Sequence, residues 1–159
     1  MNLTNDEAEF LRNLQKMMHD QTLRVPARGE RERYPASDLE RLRDFTFVMQ
    51  VARSKNEARK NASYLLLYEN IPLVRLDTDG QGLHTNADGT TIPAHTPHIH
   101  IYDENEKDHN AYLLPSDFSD PLDFFQTLHD FLIYAKVIDV DKLRIQGQGG
   151  LDFNEDIHR

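Results

Sequence analysis

Alternation of apolar and polar residues in the middle of the chain constrains its fold more than any other feature. Four apolar residues occupy every second position of one segment: Phe45, Phe47, Met49 and Val51. This pattern is typical of a β-strand with one buried side. Two further apolar segments follow, "ASYLLLY" and "IPLVRLD", and only Glu69 and Asn70 separate them, which is the length of a tight hairpin turn. The sequence therefore predicts consecutive antiparallel strands.

A helix is predicted near each end of the chain. Thr4 and Glu7 form a capping box, and a helical stripe follows it at Leu11, Leu14 and Met18. Near the other end, Asp120 is the expected N-cap and Pro121 the first helical residue. The inward stripe of this second helix consists of Leu122, Phe125, Leu128, Phe131 and Leu132.

Shorter elements complete the prediction. Strands are expected from Thr22 to Val25, in "HIHIY", in "AYLLP" and just before the C-terminal glycine cluster. The charged segment from Arg28 to Arg33 is expected to be a mobile loop, and residues 78–97, rich in Gly, Asp, Asn and Pro, a long loop or paired turns. We expect one α+β domain over residues 1–159, in which a curved antiparallel sheet of about five to six strands is packed by an N-terminal and a C-terminal helix.

Charge is distributed unevenly along the chain. Residues 1–60 carry a net charge of +2 and residues 61–159 a net charge of −11, which together give −9. The acidic part should repel a polyanion at long range, so broad nucleic-acid binding is disfavoured. Local contact with nucleic acid remains open to the basic residues Arg28, Arg31, Arg33, Arg53, Lys55, Arg59 and Lys60.

The sequence disfavours a membrane protein and a disulfide-stabilised one. No apolar run approaches the roughly 20 residues that span a bilayer, and the N-terminus does not resemble a secretory signal. The chain has no cysteine, which excludes disulfides and thiolate metal ligands. We expect a cytoplasmic protein.

Three of the eight histidines lie in the stretch "HTPHIHIY", residues 95–102. Side chains alternate along a strand, so His98, His100 and Tyr102 should share one face while the two isoleucines between them point to the core. The same argument places Arg75 and Asp77 together on one face of "LVRLD". If the two strands are neighbours, these side chains form one polar cluster.

Such a cluster suits phosphodiester cleavage without a metal or another cofactor. One histidine can accept the proton of a 2′-hydroxyl while another donates to the leaving oxygen, as His98 and His100 would. Arg75 would stabilise charge on the phosphoryl group, and Asp77 would hold one imidazole in the required tautomer. His84 or His95 could complete the set, and Tyr102, Arg59 and Lys60 are candidate binding residues. The alternative is that these are polar side chains on the solvated face of a half-exposed sheet.

A metal site is a competing interpretation. The spacing of His98, His100 and Glu104 matches the two histidines and the glutamate of the first cupin metal motif, although Ile92 stands where that motif has glycine. Asp77, His84 or His109 would have to supply further ligands.

The ordered set "VRLD", "HTNADG", "PHIHIY", followed by "FSDPLDFFQTLHDFL", resembles a poorly characterised family of small proteins from lactobacilli, related Gram-positive bacteria and their mobile elements. A weaker similarity is to the TumE-like toxins of toxin–antitoxin pairs. This second resemblance implies a toxin directed at nucleic acid, a ribonuclease above all, and a cognate antitoxin as partner. The residues of this chain that share this resemblance, and to which the implied activity would apply, are Arg75, Asp77, His98 and His100.

Two functions are therefore predicted, from different classes. The leading hypothesis is a small, metal-independent ribonuclease of toxin type. The rival is a non-enzymatic inhibitor, such as a phage anti-defence or anti-CRISPR protein, whose acidic part imitates nucleic acid and binds a cationic nucleic-acid-binding protein. The carboxylates that would serve this second function are Asp103, Glu104, Glu106, Asp108, Asp117, Asp120 and Asp123.

Overall fold

The computed structural model describes residues 2–53, 61–80 and 82–147. Its helices are α1 (Asn5–Asn13), α2 (Phe124–Tyr134) and a 3-10 turn at Val140–Lys142. Its strands are β1 (Lys16–Met18), β2 (Thr22–Arg24), β3 (Arg31–Asp38), β4 (Asp44–Val51), β5 (Ala62–Tyr68), β6 (Ile71–Asp77), β7 (His84–Thr85), β8 (Thr91–Ile92), β9 (His98–Ile101), β10 (Ala111–Leu113) and β11 (Arg144–Gln146).

Seven of these strands form one sheet in the order β1-β3-β4-β5-β6-β9-β10, in which every neighbouring pair is antiparallel. Two small sheets accompany it, a parallel pair of β2 with β11 and an antiparallel pair of β7 with β8. The predicted α+β class is confirmed, and the main sheet is larger than the five to six strands expected. Consecutive hairpins explain why an antiparallel sheet forms: β3 to β6 follow one another both in the chain and in the sheet.

The hydrophobic core lies on one face of the main sheet. The alternating residues of β4 are buried as predicted, with Phe45 and Phe47 each 1 % exposed. Phe131 of α2 packs against this face, with its ring centroid 6.1 Å from that of Phe47 and 6.0 Å from that of Tyr64. From α1, Ala8 and Leu11 join the same core cluster.

Both helices are shorter than the sequence suggested. The Thr4 capping box is confirmed, but α1 ends at Asn13 and Met18 lies in β1. An apolar residue such as Met18 is expected to be buried whether it lies in a helix or in a strand, so the apolar pattern did not distinguish the two. In the structure Met18 is buried in β1, which pairs with β3. The predicted start of the second helix is also wrong: Asp123, not Asp120, is the N-cap of α2, and Leu122 is exposed.

The charged segment from Arg28 to Arg33 is not simply a loop. A turn at residues 28–29 leads directly into β3, whose first residue is Arg31. This strand pairs with β4 along its length and tolerates Pro35, whose side chain is exposed. Backbone pairing with an apolar neighbour has therefore overridden the loop-like composition of the segment.

Several short elements agree with the prediction. The Glu69-Asn70 turn joins β5 to β6, and both residues adopt positive φ angles, 49° and 66°. Strands were expected near β2, β9, β10 and β11, and the structure has them. Within the described ranges, neither helix has the length and apolar character that a membrane span requires.

Candidate functional site

The neighbouring strands β6 and β9 bring the four strand residues of the predicted cluster together. Their register pairs Arg75 with His100 and Asp77 with His98. Directly opposed residues of an antiparallel pair lie on the same face, so all four side chains leave the sheet on one side. Ile99 lies on the opposite, core-facing side and is 2 % exposed, as the alternation predicts. Ile101, the other isoleucine, is only half-buried.

Asp77 is the centre of this cluster. Its Oδ2 lies 3.1 Å from Nε of Arg75, 3.3 Å from Nε2 of His100 and 3.5 Å from Nε2 of His98. Its Oδ1 accepts a hydrogen bond of 2.6 Å from the hydroxyl of Ser63 on β5. One carboxylate therefore connects three strands of the sheet.

Hydrogen bonds to backbone carbonyls orient the two strand histidines. Nδ1 of His98 lies 2.8 Å from the Thr96 carbonyl oxygen, and Nδ1 of His100 lies 3.2 Å from that of His109. A carbonyl can only accept, so in both rings Nδ1 carries the hydrogen and Nε2 is directed toward Asp77. The two residues are 6 % and 3 % exposed. Such low exposure contradicts the alternative interpretation, in which these histidines are polar side chains on a solvated sheet face.

A third histidine reaches the cluster from the small hairpin of β7 and β8. The ring centroid of His84 lies 6.3 Å from that of His98 and 5.4 Å from that of His100. Its Nε2 donates to Oδ1 of Asn86 at 2.9 Å, because the amide nitrogen of Asn86 is committed to Thr90 and to the Ala111 carbonyl. The other ring nitrogen, Nδ1, therefore carries a lone pair.

These residues line a cleft of about 460 Å³. Two residues that the sequence analysis did not assign to acid–base chemistry belong to it: Asp108, which pairs with Nη1 of Arg75 at 2.9 Å, and His109, whose ring centroid is 4.9 Å from that of His84. Asp79, Gly80, Gly82 and Leu83 complete the lining. The cleft is thus bounded by the main sheet, the small hairpin and the turn after β9.

The cleft gives its ionisable groups distinct pKa shifts. Burial would raise the pKa of Asp77, but its contacts with His100 and His98 and the charge of Arg75 outweigh burial and lower that pKa well below its usual range. The contact with Asp77 in turn raises the pKa of His98. Burial lowers the pKa of His84, and the neighbouring histidines add to this effect.

Four expected site residues lie outside the cleft or outside the described residues. Tyr102 follows the end of β9, and its buried hydroxyl exchanges hydrogen bonds with the backbone of Leu3, so the predicted placement beside His100 in the cleft is wrong. It contributes instead to packing of the N-terminal segment. Arg59 and Lys60 fall outside the described residues. His95, the alternative third histidine, is paired with Asp79 at 2.7 Å in the loop before β9.

Asp77, His98 and His100 also form a group that could hold a metal ion, since one ligand atom from each lies within 4.8 Å of the others. Arg75 competes for the same atoms: Nη2 donates to Nε2 of His100 at 3.0 Å, and Nε donates to Oδ2 of Asp77. A permanent cation therefore already binds two of the three candidate ligands. Glu104, the third residue of the cupin-like spacing, lies in the turn after β9 and is not part of this group.

Some of the carboxylates required by the inhibitor hypothesis make structural contacts within the protein. Asp103 accepts from two backbone N–H groups of its own turn, Asp120 from that of Leu122, and Asp123 caps α2. Together with Asp108, four of the seven are engaged in such contacts. The inhibitor hypothesis stays a prediction.

Comparison with known proteins gives a family for this chain. A model described as "Family of unknown function (DUF6978)" matches residues 3–137. The chain belongs to this family. The DUF6978 region contains both helices, the whole main sheet and every residue of the cleft. No curated protein and no solved structure matches the sequence.

Proposed function

We propose that the chain is a metal-independent ribonuclease that cleaves phosphodiester bonds by acid–base chemistry in the histidine cleft. One observation carries this proposal: His84 and His98 line the same cleft, with a lone pair on Nδ1 of His84 and with Nε2 of His98 beside the Asp77 carboxylate, 3.5 Å away. Asp77 and Arg75, an anion and a cation, lie against this pair of rings.

The two histidines are suited to different halves of the reaction. His84 accepts the proton of the 2′-hydroxyl at Nδ1, and the oxygen attacks phosphorus to form a 2′,3′-cyclic phosphate. The bond from phosphorus to the 5′ oxygen breaks, and His98 donates a proton from Nε2 to that oxygen. His84 gains one proton and His98 loses one, and proton exchange with water returns both rings to their starting states.

The environments of the two rings support this assignment. The lowered pKa of His84 favours its unprotonated form, which a base requires, and the raised pKa of His98 favours its protonated form, which an acid requires. Activity should rise with pH as His84 loses its proton and fall as His98 loses its own. The expected profile is a bell whose limbs lie on either side of about pH 6.5.

Arg75 and His100 have supporting roles in this proposal. The guanidinium of Arg75, which is 30 % exposed, stabilises charge that develops on the phosphoryl oxygens. Nε2 of His100 accepts from Arg75 and Nδ1 donates to the His109 carbonyl, so neither nitrogen of His100 serves as the acid, and His100 positions Arg75. The acid–base pair is therefore His84 with His98, rather than His98 with His100 as the sequence suggested.

The resemblance to TumE-like toxins supports the same chemistry, because it involves Arg75, Asp77, His98 and His100. It also supports a toxin role, with a cognate antitoxin as partner, and action in the cytoplasm. Membership of the DUF6978 family adds no activity, since that family is described as one of unknown function.

Incubation of the purified protein with single-stranded RNA in excess EDTA tests the proposal. We expect cleavage products that end in 2′,3′-cyclic phosphate. His84→Ala and His98→Ala should each lower kcat by a factor of about 100 or more, the usual contribution of a general acid or base. His19→Ala is the control, because His19 is an exposed histidine outside the cleft.

Absence of cleavage by the folded protein would overturn the proposal. Cleavage that EDTA abolishes would instead assign the reaction to a metal held by Asp77, His98 and His100. Cleavage that survives both histidine substitutions would place the active site elsewhere.

A further inference from the structure

The face of the main sheet opposite the core carries two continuous rows of side chains that lead away from the cleft. Five adjacent strands contribute one residue each to a row. The first row is Arg31, Gln50, Ser63, Asp77 and His98, and the second is Arg33, Val48, Leu65, Arg75 and His100. The register is unbroken across these positions, so each row runs straight across the strands from β3 to β9.

This face is separate from the hydrophobic core. None of the ten residues in the two rows belongs to the core cluster, which lies on the other side of the sheet. Arg31, Arg33 and Gln50 are exposed and Ser63, Leu65 and Arg75 are half-buried, whereas Val48, in the middle of the second row, is buried at 4 % exposure. Four strand spacings separate the arginines of β3 from the histidines of β9, a distance of about 19 Å.

Two exposed arginines of β3 lie at the far end of the rows. The chain has a net charge of −9, yet two arginines stand side by side on β3 at alternate positions of one face. Among the residues that the structure describes, neither guanidinium takes part in an ion pair. Two exposed cations side by side on an acidic protein create a local site for an anion, and the two rows lead from them to the cleft.

We infer that single-stranded RNA crosses this face at right angles to the strands, with its scissile phosphate in the cleft and neighbouring phosphates on Arg31 and Arg33. This inference rests on the proposed function, which it deepens by giving the substrate a path. A cleft of about 460 Å³ is the size of a site for one small molecule, so it accommodates one nucleotide.

Binding can be measured without cleavage by use of a fluorescent RNA oligonucleotide with 2′-O-methyl groups, which lacks the attacking hydroxyl. We expect the double variant Arg31→Gln/Arg33→Gln to bind at least tenfold more weakly at low salt. The slope of log affinity against log salt concentration should become less steep by about 1.4, the value for two phosphate contacts on a single strand.

The matched control is the double variant Arg24→Gln/Lys142→Gln. It also removes two positive charges, but from exposed positions outside the rows. It should therefore retain most of the affinity for RNA and the original salt slope. Equal losses in the two double variants would overturn the inference, because net charge alone would then explain binding. Thermal unfolding of all three proteins shows whether each is folded.

Cleavage assays separate failure of this inference from failure of the proposed function. In Arg31→Gln/Arg33→Gln we expect a higher KM for a long RNA, an unchanged kcat, and unchanged cleavage of a dinucleotide that cannot reach β3. If Arg31→Gln/Arg33→Gln cleaves long RNA with an unaltered KM, the inferred RNA path is wrong and the proposed ribonuclease function is unaffected. If the wild-type protein binds RNA through Arg31 and Arg33 but cleaves no RNA, the proposed ribonuclease function is wrong and the inferred RNA path is unaffected.

Discussion

Lys16 is the most deeply buried charged residue in the described part of the chain, with 0 % exposure. Its Nζ donates to the carbonyl oxygens of Arg12, Leu14 and Ala135 at 3.0, 2.8 and 2.9 Å. Leu14 and Ala135 are the C-caps of α1 and α2, so one ammonium satisfies the ends of both helices. Burial lowers the pKa of Lys16 to about 7.

Replacement of Lys16 by methionine should lower the free energy of unfolding by about 2–4 kcal/mol. The apolar side chain fills a similar volume, but buried carbonyl groups lose their donor, and each such loss costs about 1–3 kcal/mol. Urea denaturation measures the change, and Lys142→Met, at an exposed position, should remain within about 0.5 kcal/mol of the wild type. A Lys16→Met protein as stable as the control would show that the three contacts contribute nothing.

Residues on regular strands were the predictable part of the site. Alternation is enough to place Asp77 with Arg75, and His98 with His100, because each pair is two positions apart on one strand. The role of His84 depends on Asn86, whose amide hydrogen bonds with the backbone of Ala111 in a different strand. A contact across 25 residues leaves no periodic signal, so the sequence could not reveal it.

At the scale of elements, the alternating strands and their tight turns were predictable, and the ends of the helices were not. Glu69 and Asn70 mark a two-residue turn by length alone. The end of α1 depends on whether residues 16–18 continue the helix or pair with β3, and that competition is decided by a strand formed about 20 residues later. Local propensity does not contain this information.

The β5–β6 turn is a site for stabilisation. Two consecutive residues with positive φ match the hairpin turn that favours Asn-Gly, whereas the chain has Glu-Asn. The double variant Glu69→Asn/Asn70→Gly should therefore raise the free energy of unfolding by about 1 kcal/mol, since it relieves left-handed backbone strain. Chemical denaturation measures the gain, with Glu104→Asn, in a turn without positive φ at that residue, as the control. A loss of stability would mean that the Glu69 side chain contributes more than its backbone costs.

For the whole molecule, the Asp77–His98 pair links stability to pH. The lowered pKa of Asp77 means that its contribution is present above about pH 4 and is lost as the pH falls. The raised pKa of His98 means that its contribution is complete below about pH 6.5 and is lost as the pH rises through the folded-state value. The pair therefore stabilises the fold most between about pH 4 and pH 6.5.

Thermal unfolding of the double variant Asp77→Asn/His98→Gln should reveal this window. We expect the difference in Tm from the wild type to be larger at about pH 5.5 than at about pH 9, by about 3 °C for each kcal/mol of pH-dependent stability. The pair His95 and Asp79 provides a comparison, because its histidine is 44 % exposed and should contribute little at either pH. A difference in Tm that does not change with pH would show that the two residues act by packing alone.

The parallel pair of β2 and β11 has a consequence for the order of folding. Strands β3 to β6 pair with their neighbours in the chain, so each hairpin closes over a short loop and can form early. Residues 22–24 can pair with residues 144–146 only after nearly all of the described chain has been made, and that closure has the highest entropic cost. All residues of the histidine cleft are therefore synthesised before Ile145, the strand partner of Leu23, which is 1 % exposed in the finished fold.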